Sequence, residues 1–429
     1  MQTEDVAAAA RKPSLWRAFA QPAAWTMLFF GFSSGLPFLL VAGTLAFWLK
    51  KSGIALSEIT VVASAGMAYA LKFLWAPLLD HWRLPLFHRL GRRRGWLLFA
   101  QLGVVASLLG MVAATPANLG SFVIATLGVA IFGATQDIAV DAYRIEIAPL
   151  EDQGALVATY SLGYRFGILV SFALAATLAD HIPWPAVYAL MAAAMIVPIV
   201  ANLCAHEPGA PLYQSPTWAA ALRHSAVDPF VDFFRRYGAA LASATFVFIL
   251  ILKIPEQATI GGITSPFYLD MGYSQTAIGT ITKFYGVWVG IAGTFAGGAA
   301  VARWGIWRPL LVAIAICGSA NLTYLILPGH HGSLVALSIA ITAQELTLGF
   351  LGPPVVAFLS SLVNREHTAT QYALLSSLVN ITGKILGVFS GAIVTATGYP
   401  TYFVLTTLAV PPAIVLGLFL WPRVRAAGA

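Results

Sequence analysis

A chain of 429 residues with 59% hydrophobic and only 10% charged side chains lies far from soluble globular composition, where about a quarter of residues carry charge. Windows of about 20 residues stay apolar on every face, the length that crosses a bilayer, so the chain reads as an all-α membrane protein. Its net charge of +7 reflects membrane orientation and leaves no basic surface suited to nucleic acid.

The first 23 residues form a tail in which Glu4 and Asp5 precede Arg11, Lys12 and Arg17. No small-residue cleavage site follows at a signal-peptide distance, so the first apolar run is expected to be retained. Twelve spans are predicted, at 24–49, 57–80, 95–114, 119–147, 154–180, 185–205, 239–269, 275–302, 307–328, 333–361, 369–397 and 401–421. They divide six and six around the longest polar stretch. The expected organisation is a tail (1–23), a six-helix bundle (24–205), a linker (206–238), a second six-helix bundle (239–421) and a tail (422–429). Within the linker, "WAAALRHSAVDPFVDFFRRYG" mixes Trp218, Phe230, Phe233 and Phe234 with basic residues, the pattern of an interfacial amphipathic helix.

Of the 24 Lys and Arg, 17 fall on the side of the N-terminus, two (Lys50, Lys51) on the other side and five within spans. The bias places both termini in the cytoplasm. Cys204 and Cys317 lie in or beside spans and suggest neither a disulfide frame nor a metal cluster. No phosphate-cradling loop, HExxH or GxSxG occurs. His330 and His331 sit in a short external loop without an acidic or Cys partner, so no metal site is expected. A membrane-embedded acyltransferase is the rival reading, but the remaining histidines are scattered without partners. The chain is therefore expected to be a transporter rather than an enzyme, without a cofactor other than a proton gradient.

Three internal likenesses support a duplication. "FWLKKSGIALSEI" (47–59) resembles "FYLDMGYSQTAI" (267–278), and "ATQDI" (134–138) lies over "TAQEL" (342–346). "RFGILVSFA" (165–173) lies over "KILGVFSGA" (384–392), pairing Arg165 with Lys384. The matches fall in spans one and seven, four and ten, five and eleven, the order of a parallel repeat. Two pseudo-symmetric bundles follow.

Lys72, Asp137, Arg165, Lys253, Glu256, Lys283, Glu345 and Lys384 lie inside spans. Each would cost about 2.5–3.5 kcal/mol at the centre of a lipid-facing helix, so these groups must face one another or a watered cavity. Repeat symmetry predicts Asp137 near Arg165 in one half and Glu345 near Lys384 in the other. With Gln136, Gln257 and Gln344 they form the candidate set for substrate binding or proton coupling. Asp137, Glu256 and Glu345 are the candidate proton carriers. Asp141 and Arg144, which share a helix face with Asp137, and Asp80 lie near cytoplasmic ends and suit an inner gate. Tyr69, Tyr164, Tyr285, Trp288 and Tyr372 are candidates for stacking on a sugar ring. "GFSSGLPF" (31–38), "KIPEQ" (253–257) and "GFLGPPVV" (349–356) are expected to interrupt spans one, seven and ten.

Taken together, "GFSSGLPF", "LKFLWAPLLD" followed by "GRRRGW", "ATQDIAVDAYR", "LGYRFG" and "FLSSLVNREHTATQYALLSS" resemble the AmpG muropeptide permeases of the major facilitator superfamily. The resemblance covers nearly the whole chain. It implies a multi-pass protein of the bacterial inner membrane that imports anhydromuropeptides from periplasm to cytoplasm with protons, for cell-wall recycling. It also implies a small-molecule substrate and a monomeric carrier in the lipid bilayer. The superfamily's loop signature corresponds to Asp80 with Arg92, Arg93 and Arg94, separated here by the insert "HWRLPLFHRL". The second half, "GGAAVARWG", keeps Arg303 but lacks the acid, so one half is expected to make the full gate contact. Some family members carry two additional spans that this chain lacks. Shorter relatives import siderophores or acetyl-CoA, and these remain the alternative cargoes.

Overall fold

The computed structural model describes residues 21–41, 43–54, 62, 64–114, 116, 118–209, 227–256 and 263–427. Among them no strand occurs. The main helices, in chain order, are α1 (Pro22–Leu49), α2 (Ala65–Leu74), α3 (Arg92–Ala114), α4 (Leu119–Ile147), α5 (Gln153–Leu178) and α6 (Trp184–Cys204). There follow α7 (Val231–Glu256), α8 (Thr280–Trp304), α9 (Trp307–Gly329) and α10 (Leu334–Leu362), then α11 (Thr368–Thr397) and α12 (Tyr399–Val424). Ten of them are long and apolar enough to cross a membrane. The other two are α2, a short apolar helix followed after Trp75 by a second short piece, Ala76–His81, and the 30-residue α11.

Local chemistry sets several boundaries. Asn118 and Ser333 each accept a backbone N–H three residues on, at 3.4 Å, capping α4 and α10 at corresponding points of the two halves. The helix leading into α7 begins at Asp228, eleven residues before the predicted span, with Pro229 in its first turn and a kink at Gly238, where φ is 72°. The segment read as an interfacial helix is therefore partly core: Phe233 and Tyr237 are buried among α7, α10 and α11 residues, whereas Phe234 is exposed. Trp218 and the linker's middle lie outside the described residues.

Of the three expected interruptions, only one breaks its helix. A turn at Leu252 and Lys253 disrupts α7 ahead of Pro255. The helix Pro22–Leu40 runs on through Gly31, Gly35 and Pro37, and α10 runs through Pro353 and Pro354. The glycines serve close packing instead. A Cβ on Gly31 would collide with the Tyr160 carbonyl, and one on Gly163 with the Leu28 carbonyl, so α1 and α5 touch backbone to backbone. The α8–α10 pair repeats the device in the second half, where Gly293 faces the Leu346 carbonyl and Gly349 the Gly290 carbonyl.

Between the halves, α5 packs on α8 and α10, and α11 packs on α4, on α2 and on Ala76–His81. Ala369 and Ala373 of α11 join an apolar cluster built from first-half residues, and Ile145 of α4 joins a second-half cluster.

Candidate functional site

The face that carries Arg83, Arg89 and Arg92–Arg94 is sealed by a buried ionic network. Asp80, 4% exposed, accepts from the Arg93 guanidinium at 2.7 Å. From the other half it accepts the first backbone N–H groups of α11, Ala369 at 3.0 Å and Thr370 at 2.8 Å, and the Thr370 hydroxyl at 2.8 Å. The carboxylate thus sits on the positive end of a helix dipole, where negative charge is favoured. Arg93 also grips Glu146 at 2.5 Å and the Leu79 carbonyl at 2.8 Å. Arg92 reaches Glu146 at 3.3 Å and the Asp80 carbonyl at 2.7 Å.

Arg94 has a different role from the gate contact expected of it. Its side chain donates to the Asn202 and Leu203 carbonyls, at 2.9 and 2.7 Å, and so caps the C-terminal end of α6. Its backbone N–H, with that of Arg93, donates to Glu207 at 3.0 and 2.8 Å. In the second half Arg303 lies over the Trp304 ring, 5.9 Å from its centroid.

A second cross-half lock lies deeper. Lys72 approaches Asp141 at 3.5 Å, and Asp141 in turn holds Arg144 at 3.7 Å. Arg144 donates to Gln153 at 2.6 Å and, across the seam, to Ser360 at 3.1 Å. Its guanidinium lies 5.1 Å from the centroid of the Tyr372 ring. Tyr372 is only 4% exposed, so this ring serves the lock and is closed to a sugar. Lys72 likewise belongs with Asp141, whichever other partner it serves.

Near mid-membrane the two halves share an ion pair. Arg165 lies twelve residues into α5, about 18 Å along a helix that crosses a core about 30 Å thick. It donates to the Val287 carbonyl of α8 at 3.2 Å and meets Glu345 of α10 at 3.9 Å. Gly290 provides the room, since a Cβ there would press on the guanidinium. The two side chains keep 20% and 27% exposure, so they stand at an accessible surface between helices. Symmetry placed Arg165 with Asp137, and the structure instead joins Arg165 to Glu345; the expected Glu345–Lys384 pair depends on a side chain outside the described residues. The side chains of Lys384 and Lys283, and the whole of Gln257, lie outside the described residues.

Asp137 faces Ser34 of α1, Tyr69 and Lys72 of α2, Asp141 of its own helix, and Tyr160 and Tyr164 of α5. Its Oδ1, the Tyr69 hydroxyl and the Ser34 hydroxyl are buried without a hydrogen-bond partner among the described residues. Tyr69 and Tyr164 each flank Phe38, with centroids 5.4 and 6.5 Å away. Gln136 is a crosslink rather than a cavity group: it is fully buried and donates to the Ser33 carbonyl at 2.6 Å.

In the second half Lys253 pairs with Glu256 at 3.1 Å across the break in α7. Gln344 donates to Asn321 at 3.0 Å, and Asn321 donates to the Pro255 carbonyl and Thr406, both at 3.0 Å. Tyr285, half exposed, hydrogen-bonds Thr342 at 2.8 Å. It lines an apolar groove of about 540 Å³ with Leu334, Val335, Ser338, Ile339 and Ala343, on the outer part of α10. Trp288 is 52% exposed.

Sequence reasoning missed Glu146 and Glu207, although three successive arginines demand acidic partners and few acids exist to serve them. It also missed Asp232, which accepts from Arg236 at 2.9 Å and from Gln371 at 3.0 Å, tying the start of α7 to the first turn of α11.

Two helical halves with a sealed face and ion pairs buried at their seam define a membrane carrier rather than an enzyme, and the known proteins agree. The sequence profile of the Major Facilitator Superfamily matches residues 25–341. The human organic anion transporter MFSD10 superposes with a TM-score of 0.64 at 14% identity, covering 94% of this chain and 99% of its own. The proton:xylose symporter XylE, bound to 6-bromo-6-deoxy-D-glucose, gives 0.65 at 15% identity, with 94% and 95% covered. These two establish the fold alone.

Closer in sequence, the anhydromuropeptide permease of Escherichia coli K12 is 34% identical over 402 residues, 93% of this chain and 80% of that protein. A protein named as transporter AmpG 4 from Rickettsia conorii is 30% identical over 403 residues, 92% of this chain and 95% of its own. The chain belongs to the AmpG-type muropeptide permease family of the Major Facilitator Superfamily. It is a multi-pass transporter of the bacterial inner membrane.

Proposed function

We propose that this transporter imports anhydromuropeptides, N-acetylglucosamine–anhydro-N-acetylmuramic acid units with their peptides, into the cytoplasm by alternating access coupled to protons. The observation that carries the reading is the Arg165–Glu345 pair, 3.9 Å apart, made by opposite halves within the membrane. A cargo bearing a carboxylate competes with Glu345 for Arg165. Glu345, separated from Arg165 in a low-dielectric seam, then takes up a proton. Cargo binding and proton binding thereby support each other, which is the requirement for symport.

The sealed, arginine-rich face is cytoplasmic in this reading, as the charge bias demands. Residues 24–205 and 239–421 rock about the seam, joined by 206–238, and one chain suffices for the cycle. Tyr69, Tyr164, Tyr285 and Trp288 remain the rings available to a sugar.

The test is uptake of a labelled anhydromuropeptide into proteoliposomes with an acidic exterior, with a siderophore and acetyl-CoA as competitors. Gradient-driven uptake is expected, abolished by Glu345→Gln while downhill exchange of cargo persists. Competition by the siderophore or acetyl-CoA, with no muropeptide uptake, would reassign the cargo. Full gradient-driven uptake by Glu345→Gln would remove the coupling role.

A further inference from the structure

We propose that Lys72 is a positioning residue that transmits the charge of Asp137 to the lock Arg144 makes across the two halves. Lys72 stands between two carboxylates of α4, one turn apart. Its ammonium lies 3.5 Å from Asp141, and Asp137 is its other charged neighbour. The segment that carries it also packs against α11, so it sits at the seam between halves. Asp141 is likewise shared, between Lys72 and Arg144, and Arg144 holds Ser360 and Tyr372 of the second half. Four charges are therefore neighbours in the order Asp137, Lys72, Asp141, Arg144.

Neighbouring groups restrict what else could answer a change at Asp137. Those facing it are Ser34 from α1, Tyr69 from α2 and Tyr160 and Tyr164 from α5, all neutral, besides Lys72 and Asp141. Among the described residues Lys72 is thus the cation that a neutralised Asp137 releases. While Asp137 is charged, Lys72 divides its field between two acids and Asp141 retains a strong hold on Arg144. Once a proton occupies Oδ1 of Asp137, which has no hydrogen-bond partner among the described residues, Lys72 closes on Asp141 alone. Asp141, neutralised by Lys72, holds Arg144 less firmly, and the contacts to Ser360 and Tyr372 loosen. Protonation at mid-membrane thereby favours opening of the sealed face.

This inference rests on alternating access but not on Glu345 or on the identity of the cargo, so its test omits both. Spin labels at Leu86 and Glu366, exposed residues on opposite halves of the sealed face, report opening in nanodiscs after Cys204 and Cys317 are replaced. Asp137→Asn, which mimics the protonated acid, is expected to raise the open population about tenfold, the change that about 1.4 kcal/mol of coupling gives. In a Lys72→Met background the same substitution is expected to change it less than about twofold, and Lys72→Arg, which keeps the charge, restores the response. An Asp137→Asn response of equal size with and without the Lys72 charge would overturn the proposal. So would no response in the otherwise unaltered carrier. If Lys72→Met fails to fold, the comparison is made in Lys72→Gln, where the loss of response is again expected.

Discussion

Asp80→Asn isolates the seal, because it keeps the side chain's size and removes its charge. Asp80 makes three hydrogen bonds to the first turn of α11, at 2.8–3.0 Å, besides its bond to Arg93. Hydrogen bonds to a charged partner contribute about 1.5–3 kcal/mol each and neutral ones about 0.5–1.5. A carboxylate at a helix N-terminus adds up to about 2 kcal/mol in a partly buried site. The amide also turns an N–H₂ toward donors. The cross-half part of the loss is therefore about 3 kcal/mol, a shift of roughly 100-fold toward the open seal.

Folding is less affected than the seal, since Arg93 keeps Glu146 and the Leu79 carbonyl. Labels at Leu86 and Glu366 measured by double electron–electron resonance should show a new, longer distance in Asp80→Asn, with the thermal midpoint lowered by only a few degrees. An unchanged distance distribution in a folded variant would refute the claim that the Asp80–α11 contact closes this face.

Two further outcomes follow from backbone packing. Gly163→Ala should destabilise the first half strongly, because its Cβ meets the Leu28 carbonyl of α1, whereas Gly120→Ala, with nothing within 4 Å, should be neutral or slightly stabilising; melting in detergent followed by fluorescence checks both. Gly298→Ala places a methyl against the Gly154 carbonyl across the seam, 2.7 Å away, and should open the sealed face as read at Leu86 and Glu366, since a wedge between α5 and α8 moves two rigid halves; a change confined to labels beside the wedge would show local flexing instead.

Spacing along one helix was legible from the sequence, and spacing between helices was not. Lys253 and Glu256, three residues apart, do pair at 3.1 Å, and Asp141 and Arg144, also three apart, approach at 3.7 Å. The second follows from the helical period, while the first keeps that spacing across the turn at Leu252 and Lys253. The partner of Arg165 depends instead on how closely α5 approaches α8 and α10. That approach is set by glycines such as Gly154, Gly290 and Gly298, which look identical in sequence to glycines that bend a helix. The same ambiguity made 31–38 and 349–356 look like breaks when they are contact surfaces. Only Pro255, preceded by a charged residue at a turn, interrupts its helix as read.

The vertical order of the charges has a physical reason. The buried acids of the seal each receive several donors: Asp80 takes a guanidinium and three α11 donors, and Glu146 takes two guanidinium groups. Removing the charge from either acid weakens several contacts at once. At mid-membrane the contacts differ. Asp137 retains an unpartnered oxygen among the described residues, and Glu345 meets its arginine at the long distance of 3.9 Å. In the proposed cycle a cargo carboxylate competes for Arg165 at this long contact, whereas the multiply bonded acids of the seal keep their partners. In the proposed cycle the carrier thus keeps multiply bonded charges at the face that must close and sets Asp137 and Glu345, the proposed proton carriers, deeper in the seam.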